Sequence, residues 1–346
     1  MNSISKVPIV VIVYGGGPAY KWDGKAIADG IGGSEECLIM LAEALRRAGA
    51  MVCVYNNCES SFVNGVEYRS IEHMDRSGNG LTGGCDVLIS WRDWTLHQQI
   101  QNDHALRLHC SHDIPVGCHA PAPGEELREA CRHIDKFVFL NPYHRSLHTC
   151  IPDEAVAIIP IGIPPYPAST VHPARDLSSV LYFSHPHRGL DVLRSIWPEV
   201  HRAVPEATLA SFWWQEEFFL PPDEAIGILP MRKLGAGEAA IECHKAGIFG
   251  YPCTFEHEIS PATCIKAQAG GAYPVYVEQG GMRDVVQWGM RCRDLHNFRN
   301  ALIVALHRSI AGELMKDREA MMSWATSIYD WDKVAGQYLD LYWSSK

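Results

Sequence analysis

The sequence predicts an α/β protein built as two consecutive parallel-sheet domains, and three observations carry that expectation. The chain has 346 residues, more than one hydrophobic core usually serves. Apolar runs alternate with amphipathic helical patterns, the rhythm of strand–helix–strand units. Between 164 and 173 this rhythm stops at Pro-Pro-Tyr-Pro-Ala-Ser-Thr-Val-His-Pro, which has four prolines and no helical period. The expected division is 1–164, 165–325, and a closing segment 326–346 whose helix packs back on the first domain.

Each element follows from its pattern. Residues 9–13 are a continuous Ile/Val run, as in a parallel strand buried on both faces. Gly32-Gly33-Ser34-Glu35-Glu36 then opens an amphipathic helix with Leu38, Leu41, Ala42 and Leu45 on its apolar face. Arg46 and Arg47 complement its C-terminal dipole, and Gly49 ends it. Strands are expected at 51–55, 87–90, 137–140 and 156–160. Beyond the prolines come a strand at 180–183, a helix from about Leu190, and strands at 208–212 and 226–229. A helix at 237–246, a strand at 248–251, a helix at 261–269, a strand at 274–277 and a last helix at 332–342 complete the chain. Two such domains leave a cleft faced by the C-terminal ends of their strands.

Composition narrows the class. With 47% hydrophobic and 20% charged residues the chain is an ordinary globular one, which excludes long disorder. A formal charge of −10 counts against a large nucleic-acid surface, which needs clustered Lys and Arg, but leaves room for a local basic groove. The apolar run 7–13 is short, lacks a small-residue cleavage pattern and ends in Gly15-Gly16-Gly17, so it is a first strand and not a signal peptide. That glycine run opens no G-x-G-x-x-G pattern and is expected to shape a loop. No run approaches the ~18 apolar residues of a membrane span. Twelve scattered cysteines, among them Cys37, Cys53 and Cys264 in apolar elements, suit the reduced thiols of a cytoplasmic protein. No Cys-x-x-Cys or His-x-x-x-His pair accompanies Cys110, His112 and Asp113, so no metal is expected there.

The stretch 255–275 carries the chemistry. Ser260 suits a helix N-cap, Pro261 the first helical position, and Gly270-Gly271 the stop. Free N–H groups and the positive dipole end of that helix favour a phosphate or diphosphate, while Glu256 and Glu258 just before it can bind hydroxyls. Acid for hydroxyls beside amides for phosphate suggests a sugar nucleotide. Arg188-Gly189 has a matching logic, because a fixed guanidinium beside a diphosphate stabilises leaving-group charge; the plain alternative is a solvated arginine at a helix start. Ser184 either donates to the same phosphates or serves a turn. His112 is either a ligand contact or a satisfied buried histidine. Trp91, Trp213 and Trp214 are core or cleft-wall residues.

Four local matches, in order, resemble GT-B glycosyltransferases of the retaining, family 4 type (glycosyl transferases group 1). They are Gly32-Gly33-Ser34-Glu35, His112-Asp113, the stretch from Tyr182 to Asp191 with Arg188-Gly189, and the 255–275 segment continued by Gly280-Gly281-Met282-Arg283-Asp284. The resemblance implies two Rossmann-like α/β domains facing a central cleft. It implies transfer of a hexose from a nucleotide-diphosphate sugar, such as a UDP- or GDP-sugar, to an acceptor hydroxyl with retention of configuration. No metal and no cofactor is implied. Arg188, Glu258 and His112 would be catalytic, His112 by a hydrogen bond to the donor sugar; Gly32, Gly33, Ser184, Glu256, Ser260, Thr263 and Lys266 would bind the donor. The family pairs two glutamates eight positions apart; here Glu258 fits the first place and Lys266 stands in the second. An ammonium cannot accept from ribose hydroxyls, so Lys266 either reaches a phosphate or pairs with Glu256 or Glu258. A slipped loop would put Glu256 first and Cys264 second, but the register of the helix and the next strand favours Glu258. The acceptor stays open among a glycan, a lipid-linked sugar and a small molecule, with a modified DNA base disfavoured by the acidic charge. A sugar-nucleotide epimerase and a non-catalytic sugar-nucleotide or glycan-binding module are the other readings.

Overall fold

A computed structural model describes residues 7–15, 21–74, 84–100, 105–164 and 174–346. Gly16, Gly17 and residues 165–173 of the expected linker lie outside the described residues. The chain forms two compact units, one of residues 1–26, 34–162 and 331–346 and the other of 27–33 and 163–330.

The first unit is built on eight strands: β1 (Ile9–Tyr14), β2 (Met51–Asn56), β3 (Ser61–Val63), β4 (Val66–Ser70), β5 (Val87–Trp91), β6 (Leu106–Cys110), β7 (Lys136–Phe139) and β8 (Val156–Ile158). Their order is β3-β4-β2-β1-β5-β6-β7-β8, parallel throughout except for the β3–β4 hairpin. Helix α1 (Gly33–Arg47) buries Leu38, Leu41, Ala42 and Leu45, the face its spacing predicts. Val10 to Val13 of β1 are no more than 2% exposed, as a strand covered on both faces requires. Helix α2 (Glu125–His133) precedes β7. β8 is shorter than expected because Pro160 has no N–H for the ladder. The β3–β4 hairpin turns on Asn64-Gly65 at φ 50° and 82°, the primed-turn pair that sequence analysis passed over.

The second unit has β9 (Asp176–Tyr182), β10 (Thr208–Ser211), β11 (Ala246–Tyr251), β12 (Tyr273–Val277) and β13 (Met290–Cys292), all parallel in the order β10-β9-β11-β12-β13. Helices α3 (Leu190–Ala203), α4 (Ala236–Lys245), α5 (Ala262–Gly270), α6 (Leu295–Ile310) and α7 (Met315–Ile328) accompany it. The strand expected at 226–229 is not one. A 3-10 turn, Glu224–Ile226, leads to Gly227 at φ 71°, and Ile228 exchanges both backbone hydrogen bonds with Asp223. Those groups are then spent locally, and only an isolated bridge to Leu209 remains.

The chain ends in α8 (Trp331–Ser344), which belongs to the first unit. Tyr338 meets Cys110 Sγ at 3.3 Å, Tyr342 Oη meets Asp86 Oδ1 at 3.3 Å, and Asp332 pairs with Arg47 at 2.7 Å. None of the twelve cysteines is in a disulfide. Among the described residues no helix is long and apolar enough to cross a membrane.

Candidate functional site

In each sheet the direction of winding reverses beside the first strand of its unit, and the C-terminal ends of strands at such a point leave an open crevice. In the second unit that point lies between β9 and β11. Arg188 follows β9 and Glu258 follows β11, so the topology alone brings them to one place.

Local structure then fixes each side chain. After β9 the Tyr182 hydroxyl donates to the His185 carbonyl at 2.8 Å, which also accepts from Arg188 N at 2.8 Å. This tightens the 3-10 turn Pro186–Arg188. Gly189 then takes φ 116° and becomes the N-cap of α3. A Cβ there would stand 2.5 Å from the Pro252 carbonyl oxygen, so the β9 and β11 loops close on each other only over a glycine. Gly189→Ala is expected to destabilise the protein by at least about 2 kcal/mol, from the left-handed backbone and the clash together. Calorimetry checks this; an unchanged melting temperature would show that the loop is free to relax.

Glu258 is 3% exposed and its side chain is well supplied with donors. Arg188 Nη1 donates to Oε1 at 2.9 Å and to Oε2 at 2.7 Å, and the Tyr251 hydroxyl donates to Oε2 at 3.0 Å. Cys253 Sγ lies 3.7 Å from the same oxygen. Ser184 Oγ stands 3.3 Å from the Tyr251 hydroxyl, and Gly281 N donates to the Glu258 carbonyl at 2.7 Å. Burial by itself lowers the Arg188 pKa, but the Glu258 carboxylate outweighs it and holds the guanidinium above its ordinary value. Burial first, and Glu258 second, push the Tyr251 phenol well above its usual range, so it stays a donor. Arg188 is not fully spent: its side chain is 41% exposed and lies 5.4 Å from the Phe255 ring centroid. A charge held on one side by a buried carboxylate and open on the other suits an anionic ligand.

The remaining expected residues divide. Glu256 is exposed and outside this cluster, whereas Glu258 is at its centre. Ser260 is not the N-cap of α5: Pro261 takes that place with no side-chain cap bond, and its carbonyl accepts from Ile265 N. Proline carries no side-chain oxygen, so the first-turn N–H groups of α5 receive no cap. Ser260 and Thr263 are half-buried, and Gly271 at φ 81° ends the helix as its sequence suggests. Lys266 is half-buried on α5, close enough to Cys243 of α4 to draw down a thiol that burial pushes up to about 12. Gly32 and Gly33 lie in the segment 27–33, and apart from its chain neighbours and its own helix backbone no described atom stands within 4 Å of where a Gly33 Cβ would be.

In the first unit the reversal falls between β1 and β5. His112 stacks on Trp91 with ring centroids 4.2 Å apart, and its Nε2 is enclosed with no hydrogen-bond partner among the described residues. Burial drives its pKa well below the ordinary value, so the ring is neutral. The plain reading of a satisfied buried histidine is therefore not what the structure shows. Contrary to the expectation that no His-x-x-x-His pair accompanies this loop, His144 and His148 form one and His144 reaches Asp113, but both nitrogens of His144 are used, Nδ1 by Leu140 N and Nε2 by the Asp113 carbonyl. Among the described residues no group of three or more His, Cys, Asp or Glu is placed to hold a metal ion.

Tyr251 and Cys253 as Glu258's partners, and Glu35 and Arg92 in the first unit, are not foreseen from the sequence. The only signal for Tyr251 was its place at the C-terminal end of a buried strand.

No family model and no curated protein matches the sequence. Solved structures do match over nearly the whole chain. Sucrose-phosphate synthase from Thermosynechococcus elongatus has 15% identity and a TM-score of 0.68, covering 98% of this chain and 99% of its own. HepE from Anabaena, solved with UDP and glucose, has 14% identity and a TM-score of 0.67, covering 97% and 100%. The catalytic domain of starch synthase IV from Arabidopsis thaliana, bound to ADP and acarbose, has 14% and 0.66, covering 98% and 99%. The fold of this chain is the GT-B fold that these solved structures share.

Proposed function

We propose that this protein is a glycosyltransferase moving a hexose from a nucleotide-diphosphate sugar to an acceptor hydroxyl, with retention of configuration. The observation that carries the reading is Arg188, anchored on buried Glu258 at the β9/β11 crossover with part of its guanidinium open. Two of the proteins compared above were solved with nucleoside diphosphates, UDP and ADP. In this reading the diphosphate meets Arg188, Ser184 and the uncapped first turn of α5, with Ser260 and Thr263 beside it. Glu258 faces the sugar, and Gly32 and Gly33 let the donor approach the start of α1 closely. His112 contributes a hydrogen bond to the sugar. Arg188 supplies the charge that stabilises the leaving group, and neither a metal nor a cofactor takes part. The reading places the protein in the cytoplasm and leaves the acceptor a glycan, a lipid-linked sugar or a small molecule.

Lys266 favours a second reading. A lysine where the resemblance expects a ribose-binding glutamate suits a module that keeps the fold and binds without turnover. Thermal stabilisation against UDP, GDP, ADP, TDP and their sugar conjugates tests both readings. Binding at a hundred times Kd adds about 2.7 kcal/mol, which for units of this size raises Tm by roughly 5–10 °C. A shift with one nucleotide, followed by release of that nucleotide from its sugar conjugate, is the expected result. A shift without release would support the binding module, and no shift with any would remove the sugar-nucleotide reading.

A further inference from the structure

Among the described residues only two besides glycine have positive φ, Asn64 at 50° and Arg92 at 71°. Asn64 is explained by its hairpin turn. Arg92 is not in a hairpin; it directly follows β5, at the crossover beside β1, and a long side chain in a left-handed backbone persists only where its surroundings over-determine it.

Those surroundings hold both backbone polar groups of Arg92 and part of its guanidinium. Its N–H donates to the Cys110 carbonyl at the end of β6, at 3.0 Å. Its carbonyl accepts from His119 Nδ1 at 2.7 Å. Nε donates to Asp113 Oδ2 at 2.7 Å, and Nη1 lies 3.7 Å from Oε1 of Glu35, a buried carboxylate near the start of α1 that also takes the Tyr14 hydroxyl. The residue before it works in parallel: Trp91 stacks on His112, and its Nε1 donates to Ser34 Oγ at 3.0 Å. Trp91 and Arg92 thus grip His112 and Asp113 as a pair, the ring by stacking and the carboxylate by an ion pair. With an ordinary extended backbone at Arg92, neighbouring side chains of the strand would point to opposite faces of the sheet. The left-handed turn lets both reach the same loop.

We infer that Arg92 is a positioning residue, held in a left-handed backbone so that its guanidinium locks the His112-Asp113 loop to the start of α1. Its consequence for catalysis rests on the proposed transfer reaction; its consequence for the loop does not.

Arg92→Gly in the full chain separates the two. Glycine accepts the left-handed backbone freely, so the variant keeps the turn and loses only the guanidinium. In hydrogen–deuterium exchange, segment 111–119 is expected to exchange at least tenfold faster than in the parent, with β1 and β6 unchanged. Turnover of UDP-glucose, with Arg188→Ala as the blank, is expected to fall at least tenfold in kcat while UDP affinity stays within twofold. Arg92→Lys, which keeps the charge without the Nε geometry, should recover part of both losses. Unchanged exchange at 111–119 overturns the inference whatever the activity. So does faster exchange spread over β1 and β6, because that is loss of a structural residue. If the parent shows no turnover with any donor, the transfer reading fails and the exchange measurement still decides the role of Arg92.

Discussion

Arg188→Ala is expected to lower turnover by two to three orders of magnitude while weakening nucleotide binding far less. Removing one preorganised group aimed at developing charge typically has an effect of about 10²–10³ in kcat. The ground-state diphosphate keeps its other contacts in the reading above, so the loss falls on kcat more than on KM. The alanine variant also leaves Glu258 short of its cation inside the protein. Truncating one partner of a fully buried pair costs about 3–5 kcal/mol, and here the cost lies below that range, because Arg188 is 41% exposed and Tyr251 still donates to Glu258. Arg188→Lys sorts the two effects. Nη1 alone reaches both Glu258 oxygens, so a lysine ammonium can replace the ion pair but not the remaining donors of the guanidinium fork. Melting temperature close to the parent with turnover reduced at least tenfold is expected for Arg188→Lys. Parent-like turnover in both variants would show that Arg188 serves only to neutralise Glu258.

What could be read from the sequence follows from where the signal resides. β1, α1, β9, α3, β11 and α5 announce themselves because buried parallel strands and amphipathic helices impose local periods, and Gly189 and Gly271 sit at left-handed positions where few other residues fit. Arg188 and Glu258 were each legible as candidate site residues because each ends a strand–loop segment of distinctive composition, but not as each other's partners. Tyr251 was not, since the bond that matters joins it to a carboxylate seven positions on, and a strand-end tyrosine looks the same with or without that partner. Arg92 left no trace either: its role depends on a backbone angle that no residue type advertises. The false strand at 226–229 shows the converse, an apolar run in which Ile228 spends both backbone groups on Asp223, so that only an isolated bridge to Leu209 is left of a ladder.

The first unit is expected to lose its stability between pH 6.5 and 4, well before ordinary carboxylate titration would unfold it. Among the described residues four histidines are no more than 1% exposed there: His97, His109, His144 and His148. Burial first of all holds their pKa values down, to about 3, 4, 3 and 4 respectively. The hydrogen bonds show why protonation is opposed. His109 Nε2 faces the His119 carbonyl and so carries the proton, which leaves Nδ1 to accept from Ser90 Oγ. His144 uses Nδ1 as acceptor from Leu140 N and Nε2 as donor to Asp113. A second proton on either ring would break an existing bond, and both nitrogens of His148 are enclosed without hydrogen-bond partners among the described residues. Arg107, bonded to the His97 carbonyl at 2.9 Å, adds a positive charge beside that ring. With folded pKa values below the unfolded 6.5, the unfolded chain binds more protons throughout this window. Stability is therefore intact above about pH 7 and falls as the pH drops. Each histidine contributes a slope of up to about 1.4 kcal/mol per pH unit, so the four together remove roughly 8 kcal/mol by pH 5, as much as a typical domain has. Hydrogen exchange at pH 7.5, 6 and 5 checks this by segment: β5, β6 and β7 should lose protection steeply while β9 and β11 change less. His148→Leu, which fills the space beside Phe139 without a titrating group, should flatten the slope by about one proton. A first unit equally protected at pH 5 and 7.5 would mean that the histidines find water or partners on protonation, and that their burial imposes no acid limit.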